Sequence, residues 1–247
     1  VTLNNPPANA QSIEVITALK TANEEAGAND NVRGVVIGHA GKVFSAGHDL
    51  KELTARRSDA DAGKAFFGQT FELCSELMMA IVKCPKPVIA VVNGLATAAG
   101  CQLVATCDLA IATDKATFCT PGVNIGLFCS TPMVALSRAA PRKQAMEMLL
   151  TGETIEAGDA KEYGIINRIV PEDYLDQVVT KYAETIASKS PLTVKIGKEA
   201  FYNQLEMGLS EAYDYTAKVM TENMLAGDAC EGIGAFMEKR EAKWSGT

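Results

Sequence analysis

Residues 86–112 read KPVIAVVNGLATAAGCQLVATCDLAIA. Val88–Val92 is a short apolar run rich in β-branched residues, which reads as a strand buried on both faces. Asn93-Gly94 is a turn signal. Ala98-Ala99-Gly100 then opens a small-residue helix that runs to Thr106. Leu109–Ala112 reads as the next strand. Strand, helix and strand in this order make a parallel βαβ unit, which puts the chain in the α/β class.

This stretch is also free of charge from Lys86 to Asp108, and a second such run extends from Lys115 to Arg138. By length alone each could cross a bilayer, which takes about 20 apolar residues. Pro87, Asn93, Gly94, Gly100 and Gln102 interrupt the first run. Pro121, Gly122, Asn124 and Pro132 interrupt the second. Neither reads as a membrane span.

The same alternation extends in both directions. Val1–Leu3, Val35–Ile37, Thr117–Cys119 and Ile165–Val170 read as strands. Helical periodicity covers Ser12–Ala26, with Ser12 as N-cap, and Ala65–Lys83, whose stripe is Phe67, Phe71, Cys74, Met78 and Ile81. Helices follow at Met133–Ala139, Lys143–Thr151, Ile155–Tyr163 and Tyr174–Ala187. From Leu192 to Trp244 the pattern is helical only. Two regions are therefore expected: a core over 1–191 and a helical region over 192–247. The chain opens inside a strand without an initiator Met, so a preceding segment is expected.

Composition narrows the function. The chain has 247 residues and a net charge of −7, with 47% apolar and 21% charged residues. That is enough apolar material for a packed core. An acidic chain without a basic run gains little counterion release, so nucleic acid is not an expected partner. Seven cysteines are scattered singly. They read as reduced, buried thiols in an intracellular, reducing compartment. Two histidines and dispersed cysteines lack metal-ligand spacing, so no metal is expected.

The small residues at Ala98–Gly100 have a chemical use. A helix start offers unpaired N–H groups at the positive end of the dipole, and small side chains let a ligand oxygen approach them. Ser45-Ala46-Gly47, in VFSAGHDLKEL, is a second small-residue turn after a strand. Two such turns face to face would make a two-donor oxyanion hole. Close packing alone is the competing explanation for both.

FSAGHDLKE followed by residues 86–112 resembles the crotonase (enoyl-CoA hydratase/isomerase) family. So do ATFCTPGVNIGLFCSTP, LLTGETIEAGDAKEYGIINRIVP and EGIGAFMEKR, in order along the whole chain. The resemblance implies a spiral of β-β-α turns with a C-terminal helical trimerisation region, as a homotrimer or dimer of trimers. It implies an acyl-CoA ligand, with coenzyme A as part of the substrate and no separate cofactor. The thioester oxygen would be held by the backbone N–H groups of His48 and Ala99. Ala46, Asp49, Leu50, Lys51, Leu95, Pro121, Leu127 and Lys239 would line the ligand, with Lys243 a further basic position. Val123, Ile125, Phe128 and Met133 would add apolar wall.

The sequence departs from that pattern at the acid-base positions. Hydratases of the family carry two glutamates, and the matching positions here are Gln102 and Gly122. An amide positions water but does not titrate, and general acid-base catalysis contributes about 10²–10⁴-fold. Standard hydratase activity is therefore expected to be weak or absent. An acid of the dienoyl isomerases would fall near Ser130. Gln102, Asn124, Cys129, Ser130 and His48 remain near the pocket, with Cys129 the candidate thiol on exposure grounds. FSAGHD also resembles methylmalonyl-CoA decarboxylases of the family, whose chemistry needs only the oxyanion hole. A binding protein without turnover is the other alternative. The His48 imidazole is expected against coenzyme A or solvent, His39 in a loop, and Asp108 as a backbone cap.

Overall fold

The computed structural model describes residues 1–247. The chain begins β1 (Thr2–Leu3), α1 (Ile13–Ala28), β2 (Val35–His39), β3 (Val43–Ser45), α2 (Leu50–Ala55) and α3 (Lys64–Lys83). It continues β4 (Val88–Val92), β5 (Leu95–Thr97), α4 (Ala99–Thr106), β6 (Leu109–Thr113), β7 (Thr117–Cys119), α5 (Ser130–Ala139) and α6 (Arg142–Thr151). Then come β8 (Ile155–Glu156), α7 (Ala157–Glu162), β9 (Arg168–Val170) and α8 (Leu175–Ala187). Three helices close it: α9 (Pro191–Leu205), α10 (Leu209–Leu225) and α11 (Gly227–Glu238).

Three successive turns repeat strand, strand, helix. Their first strands join the parallel sheet β1-β2-β4-β6-β9, and their second strands join β3-β5-β7-β8. Within the second sheet β3, β5 and β7 are parallel, while β8 pairs antiparallel with β7. The fold is thus a spiral of β-β-α turns followed by helices.

Two strands differ from the sequence pattern. Leu95–Thr97, given no element between the Asn93-Gly94 turn and the helix, is β5, because Leu95, Ala96 and Thr97 pair with Thr117, Phe118 and Cys119. Ile155–Glu156, read as helix, pairs with β7 before α7 begins. Both segments are too short to show a period; only their partners make them strands.

The turn between β4 and β5 depends on Gly94. Its φ is +141°, and a Cβ there would strike the carbonyl of Lys42. Ser12 caps α1 by accepting the Val15 N–H at 3.3 Å. The apolar faces of these elements merge into one core, with Phe44, Leu77, Ile81, Leu103 and Phe118 fully buried. On the outer face of the five-stranded sheet, Ile89 and Ile111 pack under α8. Neither uncharged run forms a helix of bilayer length, since α4 has 8 residues and α5 has 10. Only α3 is long and apolar enough to cross a membrane, and it packs along α1.

Asp108 ties α9 to this core. One carboxylate oxygen accepts the Val88 N–H at 2.7 Å and Lys198 Nζ at 2.6 Å. The other accepts Tyr202 OH at 2.8 Å. Lys198 also donates to the carbonyls of Ile81 and Lys86. The backbone-cap role read for Asp108 is present, and the two α9 partners extend it. Removing one member of a buried ion pair leaves the other uncompensated, which costs about 3–5 kcal/mol. Lys198→Ala is therefore expected to lose most of that amount in urea unfolding, whereas Lys218→Ala, on α10, is expected to be neutral.

Candidate active site

Three turns leave the same end of the β3-β5-β7 sheet: residues 46–48, 98–99 and 120–122. Their approach is enforced by Gly47. Its φ is +80°, and a Cβ there would lie 2.9 Å from Ala98 Cβ and 3.1 Å from the Ala99 nitrogen. Gly100 is equally confined, since a Cβ would strike the Ser45 carbonyl. The small residues at both turns thus serve close packing, and that packing brings the two turns together.

The N–H directions follow from the local bonding. Gln11 N–H donates to the Gly47 carbonyl at 2.7 Å, and Asp49 N–H donates to the Gln11 carbonyl at 3.2 Å. His48 lies between them with its N–H on the opposite side, where no protein acceptor meets it. Ala99 is the first residue of α4, so its N–H has no helical partner. No loop acceptor reaches it either. Ala98 holds φ +51° and ψ −118°, a backbone region that a side chain disfavours. Strain of this kind persists where surrounding structure imposes it and clusters at functional sites.

The other candidates fall around these turns or away from them. Gln102, one turn into α4, is 4% exposed; its Oε1 accepts from Cys74 Sγ at 3.8 Å and its Nε2 bonds no protein group. Gly122 is buried, and a Cβ there would lie 2.7 Å from the Leu127 carbonyl oxygen and 2.9 Å from Cys129 Sγ. Cys129 therefore fills the space a side chain at 122 would need. Cys129 is itself buried at 8%, so its selection on exposure is corrected; Cys230 is the exposed thiol. Burial pushes the Cys129 thiol up and takes that of Cys101 to about 12, which disfavours thiolate in both. Ser130 starts α5 and donates to the Phe128 carbonyl.

Ala46 anchors its turn by donating to the Ala8 carbonyl at 2.9 Å. Asp49 caps α2 through the Lys51 and Glu52 N–H groups. Leu50, Lys51 and Leu127 are exposed, and Leu95 and Pro121 are half-buried. Lys239 ends α11, which packs on α9 and α10, and Lys239 makes no polar contact with the turns. A cavity of about 1070 Å³ lies between α3, α4, α5 and α9, with Met78, Val82, Thr106, Arg138 and Phe201 on its wall; of the candidate residues only Gln102 reaches it. No group of three or more His, Cys, Asp or Glu is placed to hold a metal ion.

His39 differs from its loop reading, and for His48 the solvent-facing alternative is corrected. His39 is the last residue of β2, and its Nε2 accepts the Asn93 N–H at 3.0 Å. His48 stands edge-on to Phe71, ring centroids 5.4 Å apart, with both ring nitrogens buried rather than facing solvent. Sequence reading missed Thr120, a polar residue within the second uncharged run just before Pro121. Phe71, a member of the apolar stripe of α3, is partly exposed beside His48.

Known proteins share this architecture. The sequence model described as Enoyl-CoA hydratase/isomerase matches residues 1–247. The chain belongs to the enoyl-CoA hydratase/isomerase family. It is 48% identical over 246 residues to the rat (Rattus norvegicus) mitochondrial enoyl-CoA hydratase domain-containing protein 3, covering 99% of this chain and 80% of the relative. The crystal structure of human enoyl coenzyme A hydratase domain-containing protein 3 superposes with a TM-score of 0.93 at 47% identity. That match covers 98% of this chain and 94% of the human one. An enoyl-CoA hydratase from Mycobacterium smegmatis gives a TM-score of 0.91 at 44% identity, covering 98% and 94%. The crotonase-fold spiral implied by the motifs is thus the fold of this family member.

Two outcomes follow from this geometry. Gly122→Ala forces a methyl group against the Leu127 carbonyl, and overpacking of this kind costs about 1–3 kcal/mol; a lower Tm than wild type checks it. Burial lowers the pKa of both His39 and His48 below the ordinary 6.5. The unfolded chain therefore takes up protons first. Stability from this source is full above about pH 6.5 and is lost as pH falls through the lowered native values. Urea midpoints at pH 7.5 and 5.5 are expected to show the drop, and His39→Phe is expected to reduce it.

Proposed function

We propose that this protein binds acyl-CoA thioesters and stabilises the enolate through the His48 and Ala99 backbone N–H groups. The observation that carries this is Gly47 seated on the first turn of α4, which sets two unpaired N–H groups in adjoining turns. Donors held in place before the reaction stabilise developing charge without reorganising, a contribution of several kcal/mol per site in typical enzymes. Family membership supports the ligand class, and the relatives' names supply the reaction type.

Gln102 and Gly122 stand where, on the family resemblance, hydratases carry glutamates. Without a titrating group at either place, water addition lacks its base and its acid. Hydration of crotonyl-CoA is thus slow, by orders of magnitude relative to a two-glutamate enzyme. The contacts of Gly122 with Leu127 and Cys129 support a site shaped without that second acid, so Gly122→Glu requires the 127–129 loop to move. Enolate formation by loss of CO2 needs the oxyanion hole alone, so decarboxylation remains within reach of this site. The relatives' mitochondrial names favour a mitochondrial location.

The C-terminal helices favour association. Leu209, Leu225 and Phe236 are 78%, 79% and 84% exposed in the single chain. Apolar area of this kind is favourable to bury, and a homotrimer or dimer of trimers would cover it.

The test is binding and turnover together. Calorimetry with butyryl-CoA is expected to show association. Ala99→Pro in an Ala98→Gly background removes one N–H while keeping a helix start that tolerates proline, and is expected to weaken binding about tenfold or more. Ala98→Gly alone is expected to retain it. Rapid crotonyl-CoA hydration by wild type would overturn the acid-base reading, and no binding at millimolar ligand would overturn the whole.

A further inference from the structure

The turns that join the two strands of each repeat lie at the far end of the short second strands from the candidate site, and they touch one another. Residues 40–42 join β2 to β3, 93–94 join β4 to β5, and 114–116 join β6 to β7. Asn93 stands in the middle of this stack. Its N–H donates to His39 Nε2 at 3.0 Å, beside the turn before it. Its side-chain oxygen accepts from Thr113 Oγ1 at 2.9 Å, beside the turn after it. Gly94 sits against the Lys42 carbonyl, and its own carbonyl accepts the Thr117 N–H at 3.1 Å.

The two turns joined by the His39–Asn93 bond are those that lead to the two donors. β3 has 3 residues and ends at the 46–48 turn, which carries the His48 N–H. β5 has 3 residues and ends at Ala98-Ala99. The donors are thus held from both ends: by Gly47 against Ala98 at the rim, and by His39 on Asn93 one short strand behind it. A binding site needs its groups within about 0.5 Å of the productive geometry. The His39 bond depends on protonation. Nε2 accepts only while the ring is neutral, and a backbone N–H offers a protonated ring no acceptor. Burial lowers the pKa of His39 below the ordinary 6.5, against smaller opposing effects of the Ala40 and Val43 backbone. Phe44 stands edge-on to the ring, centroids 5.5 Å apart. Among the charged groups of the adjoining turns, Lys115 pairs with Glu172 at 2.6 Å, and Glu172 accepts Asn93 Nδ2 at 2.8 Å. Lys42, Asp114 and Asp173 stand on the same turns, and none of them shifts the ring.

Building on the acyl-CoA reading of the site, we infer that His39 is a positioning residue for the two donors: its neutral imidazole, by accepting the Asn93 N–H, ties the turn that leads to His48 to the turn that leads to Ala99, and acyl-CoA binding weakens when that nitrogen is protonated. His39 touches no ligand in this scheme. It acts through Asn93 and β5 on the Ala99 N–H, and through β3 on the His48 N–H. The site is thereby fully formed at neutral pH and loosened in acid.

The experiment measures butyryl-CoA affinity by calorimetry at pH 7.5 and 5.5 for wild type, His39→Gln and His39→Phe on the full chain. The glutamine side-chain oxygen can stand where Nε2 does, accepts the same N–H and does not titrate. Ionisation of the ligand and of His48 is common to all three proteins, so the comparison among them isolates His39. Wild type is expected to lose about threefold or more in affinity between pH 7.5 and 5.5 beyond any loss in His39→Gln, the size of one net neutral hydrogen bond. His39→Gln is expected to match wild type at pH 7.5. His39→Phe, which has no acceptor at either pH, is expected to bind weakly at pH 7.5 and to lose no more than His39→Gln on acidification. Equal pH profiles for wild type and His39→Gln would overturn the inference and leave the acyl-CoA reading standing. So would wild-type affinity in His39→Phe at pH 7.5. Failure of wild type to bind butyryl-CoA at pH 7.5 would overturn both.

Discussion

The approach of Gly47 to the first turn of α4 is the contact on which the site depends. Three features meet there: a glycine at φ +80°, an alanine at φ +51°, and a helix whose first residues are Ala-Gly. Any Cβ at 47 would press on Ala98 and on the Ala99 nitrogen. The two turns come from separate β-β-α repeats, and the parallel pairing of β3 with β5 puts their ends side by side. Strain at Ala98 is sustained by the packing around it, since β5 and α4 are fixed on either side.

The rest of the molecule keeps this contact rigid. First strands stack in one sheet and second strands in another, so each repeat adds a turn at the same rim. Asp108, at the start of β6, then binds β4 and α9 at once. Burial and that carboxylate push the Tyr202 phenol well above its ordinary range, which keeps it a hydrogen-bond donor.

Much of this was legible in the sequence because the relevant signals are local. Asn93-Gly94 marked a turn, Ser12 a cap and Val88–Val92 a buried strand. The Pro, Gly and Asn breakers inside the charge-free stretches already argued against membrane spans, and neither stretch forms a helix of that length. Leu95–Thr97 was not legible, since three residues carry no period and become a strand only through β3 and β7. The burial of Cys129 was hidden for a related reason: the space it fills exists because Gly122, seven positions earlier, has no side chain. Pairing of polar groups is a property of the folded neighbourhood, so the Thr120 hydroxyl, buried without a protein partner, did not declare itself. Asp108 showed the opposite case, because a carboxylate next to a buried strand already implied a backbone partner.

In the proposed function the His48 and Ala99 N–H groups polarise a thioester carbonyl. Isotope-edited infrared spectroscopy of butyryl-CoA labelled with ¹³C at that carbonyl reads this directly on the bound ligand. The labelled stretch is expected to move to lower frequency on binding to wild type, and the shift is expected to shrink in the Ala98→Gly, Ala99→Pro protein. A bound ligand whose stretch matches that in water, or a shift indifferent to loss of the Ala99 N–H, would contradict it.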